Sequence, residues 1–151
     1  RRLEEPPVNT LSAWTLAAAI AEGNGKRRAL QALNAARAED IVPISGKDVL
    51  LAVQVAFYDD VPRFTQMVNA IADELEQRVA DGVGVAPASA PRILVSGSPM
   101  AIPNWKVHDI IEKSGGLVVA EEMCTGSRYY DKLTPEDGET PGDLLDGVAA
   151  K

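Results

Sequence analysis

The chain has 151 residues, 46% of them hydrophobic and 25% charged, an ordinary globular composition long enough for one domain with a real core. Its net charge of −7 argues against a nucleic-acid surface, which needs a basic patch, and no apolar run approaches the ~18 residues of a transmembrane helix. A single cysteine rules out an intramolecular disulfide, no segment reads as a signal peptide, and a reducing, cytoplasmic setting is the expectation.

Arg1 to Thr10 is a polar, proline-containing lead-in. From Leu11 to about Glu39 the sequence is alanine-rich. Leu16, Ile20 and Ala21, then Leu30, Leu33 and Ala36, are spaced for one apolar helix face. Gly23-Asn24-Gly25 interrupts this stretch at a cost of about 2 kcal/mol relative to alanines, so propensity alone favours two helices.

Ile41 to Ile44 is an extended connector. Ser45 suits the N-cap of a helix from about Gly46 to Tyr58, with Asp48 at its third position. Val49, Leu50, Val53, Ala56 and Phe57 give it a broad apolar face. Asp59-Asp60-Val61-Pro62 ends that helix and starts another, from about Pro62 to Ala80. Its apolar positions Phe64, Met67, Val68, Ile71, Leu75 and Val79 recur at three and four. Asp81 to Pro91 is a Gly/Pro/Ala/Ser linker.

Two β-branched-rich runs follow, Arg92 to Ser96 and Leu117 to Glu121, each bounded by Gly or Pro as buried parallel strands are. Between them lies a helical segment from about Pro103 to Ser114, with Pro103 in its first turn and Gly115 as a left-handed cap. This is a βαβ unit, whose crossover should be right-handed. Thr134 to Asp143, TPEDGETPGD, reads as an acidic, turn-rich tail. The fold class is α/β: helices over residues 1–90, an incomplete flavodoxin- or Rossmann-like βαβ core over 91–133, and the tail 134–151. Two parallel strands fall short of a stable sheet, so a piece of a longer protein, or a sheet completed by a partner, is expected.

Parallel neighbours end on the same edge, about 5 Å apart, and that edge is where open α/β sheets bind ligands. The first strand runs into Ser96-Gly97-Ser98-Pro99, a turn that resembles a phosphate-type loop: Gly97 lets backbone approach a ligand and the following helix offers its N-terminus. It lacks the GxGxxG spacing and the lysine of a P-loop, and a plain βα turn reads equally well. The second strand runs into Cys124. A lone cysteine is commonly a small buried hydrophobe, but a strand terminus beside Arg128 is also a place where a thiolate is stabilised. His108, mid-helix, reads as an exposed helix residue, which leaves a Cys–His hydrolase without support. Trp105, Tyr129 and Tyr130 read as packing residues, and Arg27-Arg28 as a solvated face. Glu121-Glu122 lacks further metal ligands at credible spacing.

The stretch from Pro91 to Tyr130, PRILVSGSPM…GGLVVAEEMCTGSRYY, resembles the 2-hydroxyacyl-CoA dehydratase and benzoyl-CoA reductase family. The likeness extends back through Val42-Pro43-Ile44-Ser45-Gly46 and Ala56 to Phe64, covering most of residues 11–133. It implies one continuous helix through Gly23 and Gly25, and that the family's N-terminal domain and later strands lie outside this chain. It implies a subunit carrying a 4Fe–4S cluster on three cysteines, with Cys124 of the CTG motif as the ligand present here. Ser96, Gly97, Ser98, Thr125 and Gly126 would line the cofactor site. The implied reaction is radical dehydration of an acyl-CoA: an ATP-dependent iron–sulfur activator supplies a low-potential electron, and a second dehydratase subunit completes the enzyme. Removing a hydroxyl α to a thioester, with an unactivated β-hydrogen, needs such a cofactor, and thiolate ligation suits iron–sulfur chemistry. The chain alone is expected to be inactive. Alternatives are a benzoyl-CoA reductase-type subunit, or a non-catalytic CoA- or nucleotide-binding or assembly module.

Overall fold

Residues 12–101 and 103–151 are described by the structure, a computed structural model; the lead-in before Leu11, and Leu11 itself, lie outside the described residues. Helix α1 spans Ala13–Ala35 without a break. The Ser12 hydroxyl caps it by accepting from Thr15 N at 3.1 Å, and a 3-10 turn, Ala36–Ala38, ends it. The reading of one helix through Gly23 and Gly25 therefore holds against local propensity, and the reason is tertiary. Asn24, fully buried, donates Nδ2–H to Thr134 O at 2.7 Å and to Glu136 Oε1 at 2.6 Å, and its Oδ1 accepts from Thr134 N at 2.9 Å.

Helix α2 spans Gly46–Val55, capped by Ser45, whose Oγ accepts from Asp48 N at 3.0 Å. It is shorter than expected, because turns carry the chain from Ala56 to Tyr58. Helix α3 spans Val61–Ala80, with Asp60 accepting from Arg63 N at 3.1 Å. The main core lies where these three helices meet: Leu30 and Leu33 of α1, Val49 and Val53 of α2, Phe64 and Val68 of α3. Three residues assigned to apolar faces are instead exposed, Ala21, Phe57 and Met67. Each sits on the border of its stripe, where the core no longer reaches.

Strands β1, Arg92–Ser96, and β2, Leu117–Glu122, pair in parallel. The register runs Arg92↔Leu117 and Ile93↔Val118, then slips by one residue to Leu94↔Ala120 and Ser96↔Glu122. The helices lie against β2, so Leu117 and Val118 are buried, whereas Leu94 in β1 is 61% exposed. The expectation of two buried strands thus holds for β2 and fails for β1, where Ile93 and Val95 are half-buried and Arg92, Leu94 and Ser96 are exposed. Arg92 ties the start of β1 to the end of α1, donating to Glu39 O at 2.8 Å and Arg37 O at 2.5 Å.

Helix α4, Lys106–Lys113, begins three residues later than expected. Pro103 lies in a turn, with Asn104 N donating to Ala101 O at 2.6 Å. Gly115 closes the helix at φ +90 as anticipated, a conformation that suits glycine. Two further helices were not read from the sequence: α5, Ser127–Tyr130, and α6, Pro141–Ala150. The expected turn-rich tail is therefore half helix, because Thr140 and Asp143 form a reciprocal capping box and Leu144 is buried. No helix among the described residues is long and apolar enough to cross a membrane.

Candidate functional site

The carboxyl edge of the sheet brings together the segments read as the site. Ser96 Oγ donates to Glu122 Oε2 at 2.7 Å, and Gly97 N reaches Glu122 O at 3.4 Å. The chain then turns through Gly97 at φ +134, a value that β-carbon-bearing residues avoid. Met100 and Met123, one from each loop, are buried with Leu50 in a second apolar cluster, against which Val95 and Trp105 pack. Met100 O accepts from Gln54 Nε2 at 2.7 Å and from Thr125 Oγ1 at 3.1 Å. The two loops are thereby locked to each other and to α2.

Cys124 stands between these anchors. Met123 on one side is fully buried and Thr125 on the other is bonded to Met100 O, while Cys124 itself is exposed and free. The buried-hydrophobe reading of Cys124 is therefore overturned, because the turn Cys124 to Gly126 lifts that side chain off the core. The same turn needs glycine at position 126. A β-carbon there would stand 2.3 Å from Glu121 O, well inside van der Waals contact. Ser127 then opens α5, which carries Arg128 back toward the edge.

Charge at the rim is paired. Arg128 donates Nε–H to Glu122. The Glu122 carboxyl is held below its usual range by Arg128 first and Ser96 second, and the guanidinium is raised, by Glu122 first and more weakly by Cys124. Arg128 thus lies within electrostatic reach of the thiol.

The phosphate-type reading of Ser96 to Ser98 fares less well. The Ser96 hydroxyl and the Gly97 N–H are both turned to Glu122, and α4 does not follow the turn directly but starts at Lys106. The Trp105 side chain, at its N-cap, makes no capping hydrogen bond. Ser98 is exposed. Tyr129 leans on Phe57, ring centroids 4.6 Å apart, under the Lys26 ammonium at 5.3 Å. Tyr130 is buried in the main core, and burial foremost pushes its hydroxyl up to about 12.

His108 is the largest departure from the sequence reading. It is fully buried rather than exposed, with Nε2 3.2 Å from Glu121 Oε1. His108 is the buried position of α4 and faces β2 through this contact. Arg37, which the sequence did not single out, is equally buried and paired to the same carboxylate.

An iron–sulfur cluster is held by several thiolates, and this chain contains one cysteine. Among the described residues no three His, Cys, Asp or Glu side chains are grouped so as to hold a metal ion. The donor set fits one ligand of a cluster, exposed and on an anchored loop, and does not fit a whole cluster.

The sequence model of a family described as "2-hydroxyglutaryl-CoA dehydratase, D-component" matches residues 1–151. The chain is also 32% identical over 152 aligned positions to the protein named "Putative dehydratase subunit YjiM" of Escherichia coli (strain K12), an alignment that covers all of this chain. The chain spans 38% of that relative's length.

Proposed function

Because this chain belongs to the 2-hydroxyglutaryl-CoA dehydratase D-component family, we propose that it forms part of a dehydratase-type lyase subunit acting on a 2-hydroxyacyl-CoA. In this reading Cys124 gives one thiolate to a 4Fe–4S cluster whose other ligands come from outside these residues. The observation that carries it is the family match over the whole chain. The geometry supports it through the exposure of Cys124 between two buried or bonded neighbours.

The residues take distinct tasks. Met123 and the Thr125–Met100 bond hold the loop to the core, so the thiol is presented at a fixed place. Gly126 allows the tight return that keeps Cys124 at the edge. Arg128, held at the rim by Glu122, sets a positive charge within electrostatic reach of Cys124. Ser96 donates to the Glu122 carboxylate and the Gly97 N–H to its backbone carbonyl, which joins the two strand ends beneath the loops. When bound, the cluster supplies one-electron chemistry at low potential, which a dehydration at an unactivated carbon needs. A second dehydratase subunit and an ATP-dependent iron–sulfur activator are the partners this reading requires.

The test is Cys124→Ser in the cluster-loaded subunit, purified without oxygen together with its partner subunit and activator. Iron and acid-labile sulfide content and turnover are expected to collapse, because a hydroxyl is a poor ligand for iron where a soft thiolate served. The thermal midpoint should hold, since the side chain is exposed. Full cluster content with normal turnover would sink the assignment. The chain by itself should take up no stoichiometric cluster on anaerobic reconstitution.

A further inference from the structure

Beneath the Cys124 loop lies a cluster of buried charge that the proposed chemistry does not use. Arg37 grips Glu121 in bidentate fashion, Nη1 donating to Oε1 at 2.9 Å and Nη2 to Oε2 at 2.7 Å. Nη2 also donates to Asn34 Oδ1 at 2.6 Å. His108 Nε2 meets Glu121 Oε1 from α4 at 3.2 Å. The Arg37 Nε and His108 Nδ1 are left without hydrogen-bond partners among the described residues. Three elements thus converge on one carboxylate: the turn after α1, helix α4 and strand β2.

A buried ion pair is seldom the most stable filling of its space, since well-packed apolar residues often serve as well or better. What it does supply here is a defined position. The Glu121 backbone is the surface on which the loop closes, for a β-carbon at Gly126 would lie 2.3 Å from Glu121 O and 2.8 Å from Glu121 Cβ. Cys124 is three residues beyond the clamped carboxylate and two before that contact.

We propose that Glu121 is a positioning residue for the Cys124 loop: clamped by Arg37 and His108, it fixes where β2 ends and so how the thiol is presented. The chemical purpose of that positioning rests on the cluster-ligand reading above, whereas the positioning itself is a property of this chain.

Cys124 is the chain's single thiol, so its alkylation by iodoacetamide at fixed pH reports on that one side chain. His108→Leu removes the donor to Glu121 while leaving the Arg37 pair intact, and is expected to shift the alkylation rate fivefold or more. His108→Gln keeps an N–H toward Glu121 and should stay within twofold of the unsubstituted chain. A purely structural role would lower the thermal midpoint and leave the rate of every folded variant unchanged, which would overturn the proposal. Should His108→Leu fail to fold, amide hydrogen exchange on the unsubstituted chain decides. The Gly126 N–H, bonded to Met123 O at 2.9 Å, is expected to exchange within tenfold of the β2 amides, and exchange at open-loop rates would overturn the proposal. No arm needs cluster or substrate. If Cys124→Ser keeps cluster and turnover while His108→Leu shifts alkylation, the ligand reading fails and the positioning stands; the opposite pair of results separates them the other way.

Discussion

Glu121 and Glu122 are consecutive on β2, and their carboxylates have opposite surroundings. Glu121 is 3% exposed and meets Arg37 and His108, while Glu122 sits at the rim with Ser96 and Arg128. Burial alone would push the Glu121 carboxyl up, but the hydrogen bonds from His108 and Arg37 and the charge of both outweigh it and hold it below its ordinary 4.5.

That depressed carboxyl fixes the sign of an acid dependence. The unfolded chain takes up this proton at higher pH than the folded one, so the contribution is complete above 4.5 and is lost as pH falls through the folded value. Urea midpoints should therefore hold from neutrality to about pH 5 and decline on further acidification. Glu121→Gln should have a shallower acid limb than the parent, on top of a lower midpoint at neutral pH. An acid limb of unchanged slope would mean that other carboxylates carry the effect.

Gly126→Ala should destabilise the chain by about 1–3 kcal/mol, as overpacking does, because its β-carbon meets backbone, Glu121 O at 2.3 Å. Denaturant titration measures the cost. A neutral substitution would show that the loop can move away from Glu121 without loss.

Gly25→Ala should do the reverse. The position is mid-helix, and a β-carbon there meets nothing within 4 Å. Replacing glycine in a helix interior gains about 1 kcal/mol. Thermal and urea unfolding should both show the increase.

Asn24→Ala should cost about 1–3 kcal/mol, since it leaves a buried backbone amide, Thr134 N, without its acceptor. It should also loosen the segment that α1 holds through Thr134 and Glu136. Limited proteolysis is then expected to cut between residues 131 and 140 faster than in the parent. Equal cutting would show that α6 docks without the Asn24 contacts.

Much of the fold could be read from local pattern. Both strand spans, the Ser45 cap and the Gly115 terminus follow from residues that act on their immediate neighbours, and the structure places them where the pattern does. The capping box at Thr140 and Asp143 was equally visible, yet its Pro, Gly and Asp residues also spell turns, and only the burial of Leu144 decides between the two. Long-range partnership was not legible. Arg37 reads as one more solvated arginine near a helix end until Glu121, 84 residues away, is folded against it. His108 reads as an exposed helix residue until Glu121, on the neighbouring strand, is folded against it. The edge that gathers Ser96 and Cys124 followed from parallel pairing alone. The direction of the Ser96 hydroxyl depended on Glu122 and that of Cys124 on the turn it opens, and neither shows in local pattern.

The slipped register of the sheet has a consequence for these two glutamates. Had the ladder run on unbroken from Arg92↔Leu117, Ser96 would stand across from Glu121; Val119, with no partner in β1, moves the count along so that Ser96 meets Glu122. The strand is like a ruler with one division too many: the pleat already turns the two carboxylates to opposite faces, and the surplus division sets the outward one across from Ser96. One extra residue in β2 thus decides which of two neighbouring carboxylates the end of β1 meets.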